Sequence, residues 1–123
     1  MQKHHNQHIY SASDLVDYLE CEHLTSLNLI NLDTPLPKVE DDEQTQLIQK
    51  KGYEHESNYL LALQVKGIDV VDIKADNRKS AEAVEATHQA MAAGAAVIFQ
   101  GCLRKDNLIG VVDFLRRVER PSA

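Results

Sequence analysis

Two residues in this chain have the type and placement to do chemistry. Asp113 sits inside the apolar run "LIGVVDFLRRVE", Leu108 to Glu119. Ile109, Val111 and Leu115 share its side of an extended strand, and Leu108, Val112, Phe114 and Val118 take the other. Both sides are apolar, which predicts a central strand buried on two faces. A carboxylate there is costly unless it is paired, hydrogen-bonded or bound to a metal. An arginine partner, or a strand end reaching solvent, would serve as well as a metal. His55 lies in "GYEHES", on a helical stripe with Ile48, Gly52, Tyr59 and Leu63. Gly52 costs about 1 kcal/mol against alanine in a helix interior. It makes sense where a backbone or a ligand approaches closely. His55 and Asp113 together would offer one nitrogen and one carboxylate to a divalent metal. Two donors fall short of a full site, and a core histidine satisfied by packing is the plain alternative.

Other candidates are thinner. Cys21, in "LECEHLTSL", would open a metal or cluster site, but Cys102 is the chain's one other cysteine and falls in a predicted strand. A cluster usually takes four thiolates. His4, His5 and His8 would chelate metal only if something held their geometry. Arg104, Lys105, Arg116, Arg117 and Arg120 make a basic cluster near the end, suited to phosphate contacts or to solvated strand ends.

The elements that must position these residues can be read from periodicity. Residues 1–10 are polar and predicted to fray. "SASDLVDYLECEHLTSLNLINL" is a helical stretch with Ser11 or Ser13 as N-cap, apolar at Leu15, Tyr18, Leu19, Leu24, Leu27 and Ile30, with a break near Cys21 allowed. "DTPLPKVEDDE" is a linker. "TQLIQKKGYEHESNYLLALQVKG" is a second helix ended by Gly67. "IDVVDIK" is a short strand, and "RKSAEAVEATHQAMAAGA" is a third helix with Ala81, Val84, His88 and Met91 along one stripe. "AVIFQGCLR" and "LIGVVDFLRRVE" flank the turn signal "KDN" and should form an antiparallel hairpin.

Composition sets the outer bounds. The 123 residues suit one domain or part of one, with 43% hydrophobic and 26% charged residues. No apolar run would span a membrane, and the start has no apolar signal core, so a cytoplasmic protein is the expectation. Two cysteines are too few for a disulfide scaffold. A net charge of −6 does not advertise a nucleic-acid binder.

"SASDLVDYLECEHLTSLNL", "GYEHE", "AMAAGAAVIFQGCL" and "GVVDFLRRVERPS" occur in this order. The ordered set resembles the start of the RecB-like nucleases of the PD-(D/E)xK superfamily. The resemblance covers nearly all of the chain after Tyr10. It implies an αβββαβ core and a metal-dependent DNA nuclease using Mg²⁺ or Mn²⁺. His55 matches the family's helix histidine, and Asp113 matches its strand aspartate. The family's third motif is an acid, one spacer and a lysine on the following strand. Such a site fits the reaction, because phosphodiester hydrolysis gains from a metal that polarises phosphate and from a cation where charge develops. Here Glu119 is followed by Arg120 and Pro121, so that motif is missing. Some relatives carry an iron–sulfur cluster with one cysteine before the core and three after it. Cys21 matches the first, and the others would need a longer chain.

The expectation is therefore the N-terminal part of a RecB-like nuclease domain over residues 11–123, truncated before the third motif and inactive alone. The resemblance implies DNA as the intact protein's partner, Arg104, Lys105, Arg116 and Arg117 among the contacts, and an association with a helicase domain. A different reading is a non-catalytic interaction module that pairs, or self-associates, through an exposed sheet edge. Either way the fold class is α/β of the α+β kind, an incomplete nuclease-like core with three main helices on a small mixed or antiparallel sheet. The helix bearing His55 is expected to pack on the hairpin.

Overall fold

A computed structural model describes residues 1–121. Among the described residues the fold is mixed α+β, with four helices, a two-stranded sheet and a three-stranded sheet. The chain divides into two compact units. One takes Met1–Glu40 with Arg104–Gly110, and the other takes Asp41–Leu103 with the residues from Val111 onward.

In the first unit, β1 (Gln2–His4) and β2 (Gln7–Ile9) pair antiparallel, Gln2 opposite Ile9 and His4 opposite Gln7. The predicted frayed start is thus a hairpin. Three contacts hold it: Ile9 is buried, the Met1 amine lies 2.8 Å from an Asp14 carboxylate oxygen, and Lys3 lies 2.6 Å from Asp33. Tyr10 then bridges to Leu108, with Ile109 N–H donating to Tyr10 C=O at 2.8 Å.

Helix α1 (Ala12–Glu20) starts where Asp14 accepts from both the Ser11 backbone N–H and its hydroxyl, each at 2.7 Å. The first of these bonds occupies a backbone donor that a helix start leaves free. Burial raises the Asp14 carboxyl, but the Met1 amine and the Ser11 bonds outweigh it and hold the group below the usual range. At Cys21 the backbone turns extended, and α2 (Glu22–Asp33) begins. The break near Cys21 is therefore real. The apolar stripe read from the sequence is largely exposed: Leu15, Tyr18, Leu19, Leu27 and Ile30 all face solvent, and Asp14 is the buried side chain of α1.

The second unit carries α3 (Glu43–Val65), β3 (Val70–Asp72), α4 (Ala81–Ala92) and the bodies of β4 (Val97–Lys105) and β5 (Leu108–Arg116). Asp42 caps α3 by accepting from Thr45 N–H at 2.7 Å. That bond holds the Asp42 carboxyl below its usual value. The helix ends as Gly67 takes a φ of +74° and Ile68 N–H returns to Leu63 C=O. β3 runs parallel to β4, Val70 opposite Val97, which requires the crossover that α4 supplies. β4 and β5 are joined by Asp106 and Asn107, and a connection this short forces antiparallel pairing. Asp106 adopts a φ of +53°, a conformation that aspartate tolerates better than most residues.

Two expectations are corrected here. The sheet order is β3-β4-β5, so β4 is central and β5, with Asp113, is an edge strand. The apolar residues on both sides of β5 suggested the opposite. They are only half-buried at Val111, Val112, Phe114 and Leu115. On α4 the buried stripe is Ala83, Thr87 and Ala90, while His88 and Met91 are exposed. Small residues let the crossover helix sit close to the strands, so it is the least bulky side that turns inward. Thr87 is fully buried and ties the two layers. Its hydroxyl donates to Ala83 C=O at 2.7 Å and accepts from Cys102 N–H at 2.9 Å.

Candidate functional site

His55 and Asp113 both belong to the second unit. Helix α3 is fixed to the sheet by two contacts close to them. Gln100 is 5% exposed and donates from its amide nitrogen to a Glu56 carboxylate oxygen at 3.0 Å. The Tyr59 ring meets the Phe114 ring edge-on, with centroids 4.7 Å apart, and Phe114 lies 5.0 Å from the Phe99 ring. Glu56 follows His55 in the chain, and Phe114 follows Asp113. The elements that carry the two candidates are thus held together, as the sequence leads one to expect.

Their immediate surroundings differ from the expectation. The inward stripe of α3 is Glu56, Leu60 and Leu63, rotated from the predicted one; Ile48 and His55 are exposed. A Cβ on Gly52 would meet nothing within 4 Å, so no backbone presses on it. Asp113 is exposed and keeps its hydration, which removes the cost that a buried carboxylate would carry. Along β5, Phe114 meets α3, and Leu115 lies against Gly101 beside Thr87 of α4. Alternation places Asp113 on Leu115's side of the sheet.

Both side chains are exposed, and they offer two donors where Mg²⁺ takes six ligands around one point. No group of three or more His, Cys, Asp or Glu side chains able to hold a metal forms among the described residues. No metal-dependent step is derived from this pair.

The remaining candidates are spread across both units. Cys21 is an exposed free thiol at the α1–α2 break. Cys102 is a buried free thiol whose ionisation is pushed up by burial, only partly opposed by Lys79. A thiol held protonated is a poor metal ligand. Arg104 and Lys105 belong to the first unit, and Arg116 and Arg117 to the second. Arg104 donates to Asp106 C=O at 3.2 Å, and Arg117 donates to Gly94 C=O at 3.3 Å, where it helps close the C-terminus of α4.

Sequence reasoning passed over Glu56 and Gln100. Gln100 has a φ of +57° in the middle of a strand, a costly conformation for a residue with a side chain. A buried amide, a left-handed backbone and a carboxylate partner on another element together constrain Gln100 tightly. The sequence signal was glutamine inside the apolar run "AVIFQGCL".

No family model, curated protein or solved structure matches the chain. No helix among the described residues is long and apolar enough to cross a membrane.

Proposed function

We propose that this chain supplies the first part of a RecB-like, metal-dependent DNA nuclease domain and does not cleave DNA by itself. The observation that carries the reading is the docking of α3 on the β4–β5 hairpin through Glu56–Gln100 and Tyr59–Phe114, next to His55 and Asp113. The ordered motifs place a histidine and an aspartate on those two elements. The acid and the lysine that the reaction needs come from outside these residues. The edge of β5 beyond its bridge to Tyr10 is where a strand bearing them would pair. Arg104, Lys105, Arg116 and Arg117 would then serve DNA phosphates. Cys21 would serve a cluster only together with cysteines from elsewhere.

Mn²⁺ titrated into this chain is expected to show no saturable binding. The same titration on a chain extended in its reading frame should bind Mn²⁺ and cleave DNA, and both His55→Ala and Asp113→Ala should abolish the two activities. An extended chain that neither binds Mn²⁺ nor cuts DNA would sink the nuclease reading. A second reading rests on the same free edge: β5 pairs with another chain as an interaction module. Self-association of this chain at micromolar concentration in sedimentation, lost on Val111→Pro, would favour it.

A further inference from the structure

The first ten residues hold a feature that the proposed nuclease reading does not use. The β1–β2 hairpin supplies the framework that free histidines would lack. It is anchored by buried Ile9, by the Met1 amine on Asp14, and by Lys3 on Asp33 at 2.6 Å. At its turn, the Nδ1 atoms of His4 and His5 lie 3.0 Å apart, with ring centroids 4.4 Å apart and planes 66° to each other. His5 holds a φ of +54°, and that left-handed backbone turns its ring toward His4. Both rings are exposed.

The separation itself is informative. Two imidazole nitrogens bound at right angles to one metal, with bonds of about 2.1 Å, stand about 3.0 Å apart. A tetrahedral metal with the same bonds would need about 3.4 Å. Right-angled donors suit octahedral and tetragonal ions rather than tetrahedral ones, and imidazole nitrogens favour Cu²⁺ and Ni²⁺ over the harder Mg²⁺ and Mn²⁺. With one proton between them, the same two atoms make a hydrogen bond; a metal would displace that proton to solvent and sit to one side of the line joining the nitrogens.

We propose that the Nδ1 atoms of His4 and His5 chelate a tetragonal divalent metal, Cu²⁺ or Ni²⁺, at the tip of the β1–β2 hairpin. Among the described residues no third His, Cys, Asp or Glu side chain joins them, so water would fill the remaining positions. His8 pairs with Lys3 across the hairpin, and alternation puts it on the other face from His4. It makes an internal control.

The test is calorimetric titration of Ni²⁺ into the full chain, with histidine ring resonances followed by NMR. A one-to-one isotherm is expected, with the His4 and His5 signals broadening first. His4→Gln and His5→Asn should each weaken binding about tenfold or more. Asparagine tolerates the left-handed conformation, so His5→Asn keeps the turn. His8→Gln and His55→Ala should leave the isotherm unchanged, which separates this site from the nuclease reading. Excess Mn²⁺, a harder ion, should not compete. The proposal is overturned by an absence of saturation up to roughly millimolar Ni²⁺, by equal binding in all four variants, by equal weakening in His8→Gln, or by competition from Mn²⁺.

Discussion

Thr87→Val tests how α4 is held to the sheet. The threonine is fully buried, and its hydroxyl both donates to Ala83 C=O and accepts from Cys102 N–H at 2.9 Å. Valine keeps the shape and deletes the oxygen. Ala83 C=O sits inside α4 and retains its helical partner. Cys102 is itself fully buried, and its N–H loses this acceptor. A buried donor left unpaired costs about 1–3 kcal/mol. With a urea slope of about 2 kcal/mol per molar, the unfolding midpoint should fall by about 0.5–1.5 M. Thr87→Ser retains the oxygen and loses a methyl, at a cost of about 0.5–1.5 kcal/mol. Amide hydrogen exchange separates the two variants. The Cys102 amide should lose protection in Thr87→Val beyond the global change and keep it in Thr87→Ser. An unchanged midpoint together with unchanged exchange at Cys102 would refute the assignment of this bond as the tie between the layers.

Two further outcomes follow from named contacts. Gly101→Ala would place a Cβ 2.8 Å from the Leu115 tip and 3.4 Å from the Thr87 methyl, so one side chain must move. Leu115 is half-exposed and can turn away, so the cost should lie near the low end of overpacking, about 1 kcal/mol, and Leu115→Ala should relieve it in a double-mutant cycle read by urea unfolding. Asp14 has its carboxyl lowered in the folded chain, so its contribution to stability is present above its unfolded value and is lost as pH falls through the lower folded value. Wild type should therefore lose its advantage over Asp14→Asn as pH drops below about 3.9, read as the difference between their unfolding midpoints; a difference that does not vary with pH would contradict the contacts.

The elements were legible where a local signal agreed with tertiary packing. The long α3, the strand-turn-strand at its short connection, and the break at Cys21 all follow from periodicity and turn chemistry. The facing of those elements was less legible. On α4 the sequence offers two stripes, a bulky one through Val84, His88 and Met91 and a small one through Ala83, Thr87 and Ala90. Hydrophobicity favours the first, but the parallel crossover favours a close approach, and Thr87 on the second stripe gains two hydrogen bonds at once. On α3 the same competition turns Glu56 inward, because Gln100 needs a partner and His55 does not sit opposite one. The β1–β2 hairpin was unreadable from its polar composition. It depends on an ion pair at Asp14 and on burial of Ile9, neither of which is a periodic signal.

Asp113 shows how strand order changes the meaning of a residue. In a central strand its carboxylate would have to be matched by a partner or a metal. In the edge strand that β5 forms, it is hydrated and needs neither. An edge strand with apolar side chains on both sides tends to recruit another strand, and a charge within it opposes indiscriminate pairing. A carboxylate at this point therefore suits two roles that differ in their dependence on the neighbour. As a guard of the edge, Asp113 acts with β5 as it stands, and its removal would promote association without any metal. As a nuclease ligand, it acts only once a strand has paired beside it, and its removal would cost Mn²⁺ binding in the extended chain alone. The titrations of Asp113→Ala in the two chains, read beside their association states, distinguish the roles because each predicts an effect where the other predicts none.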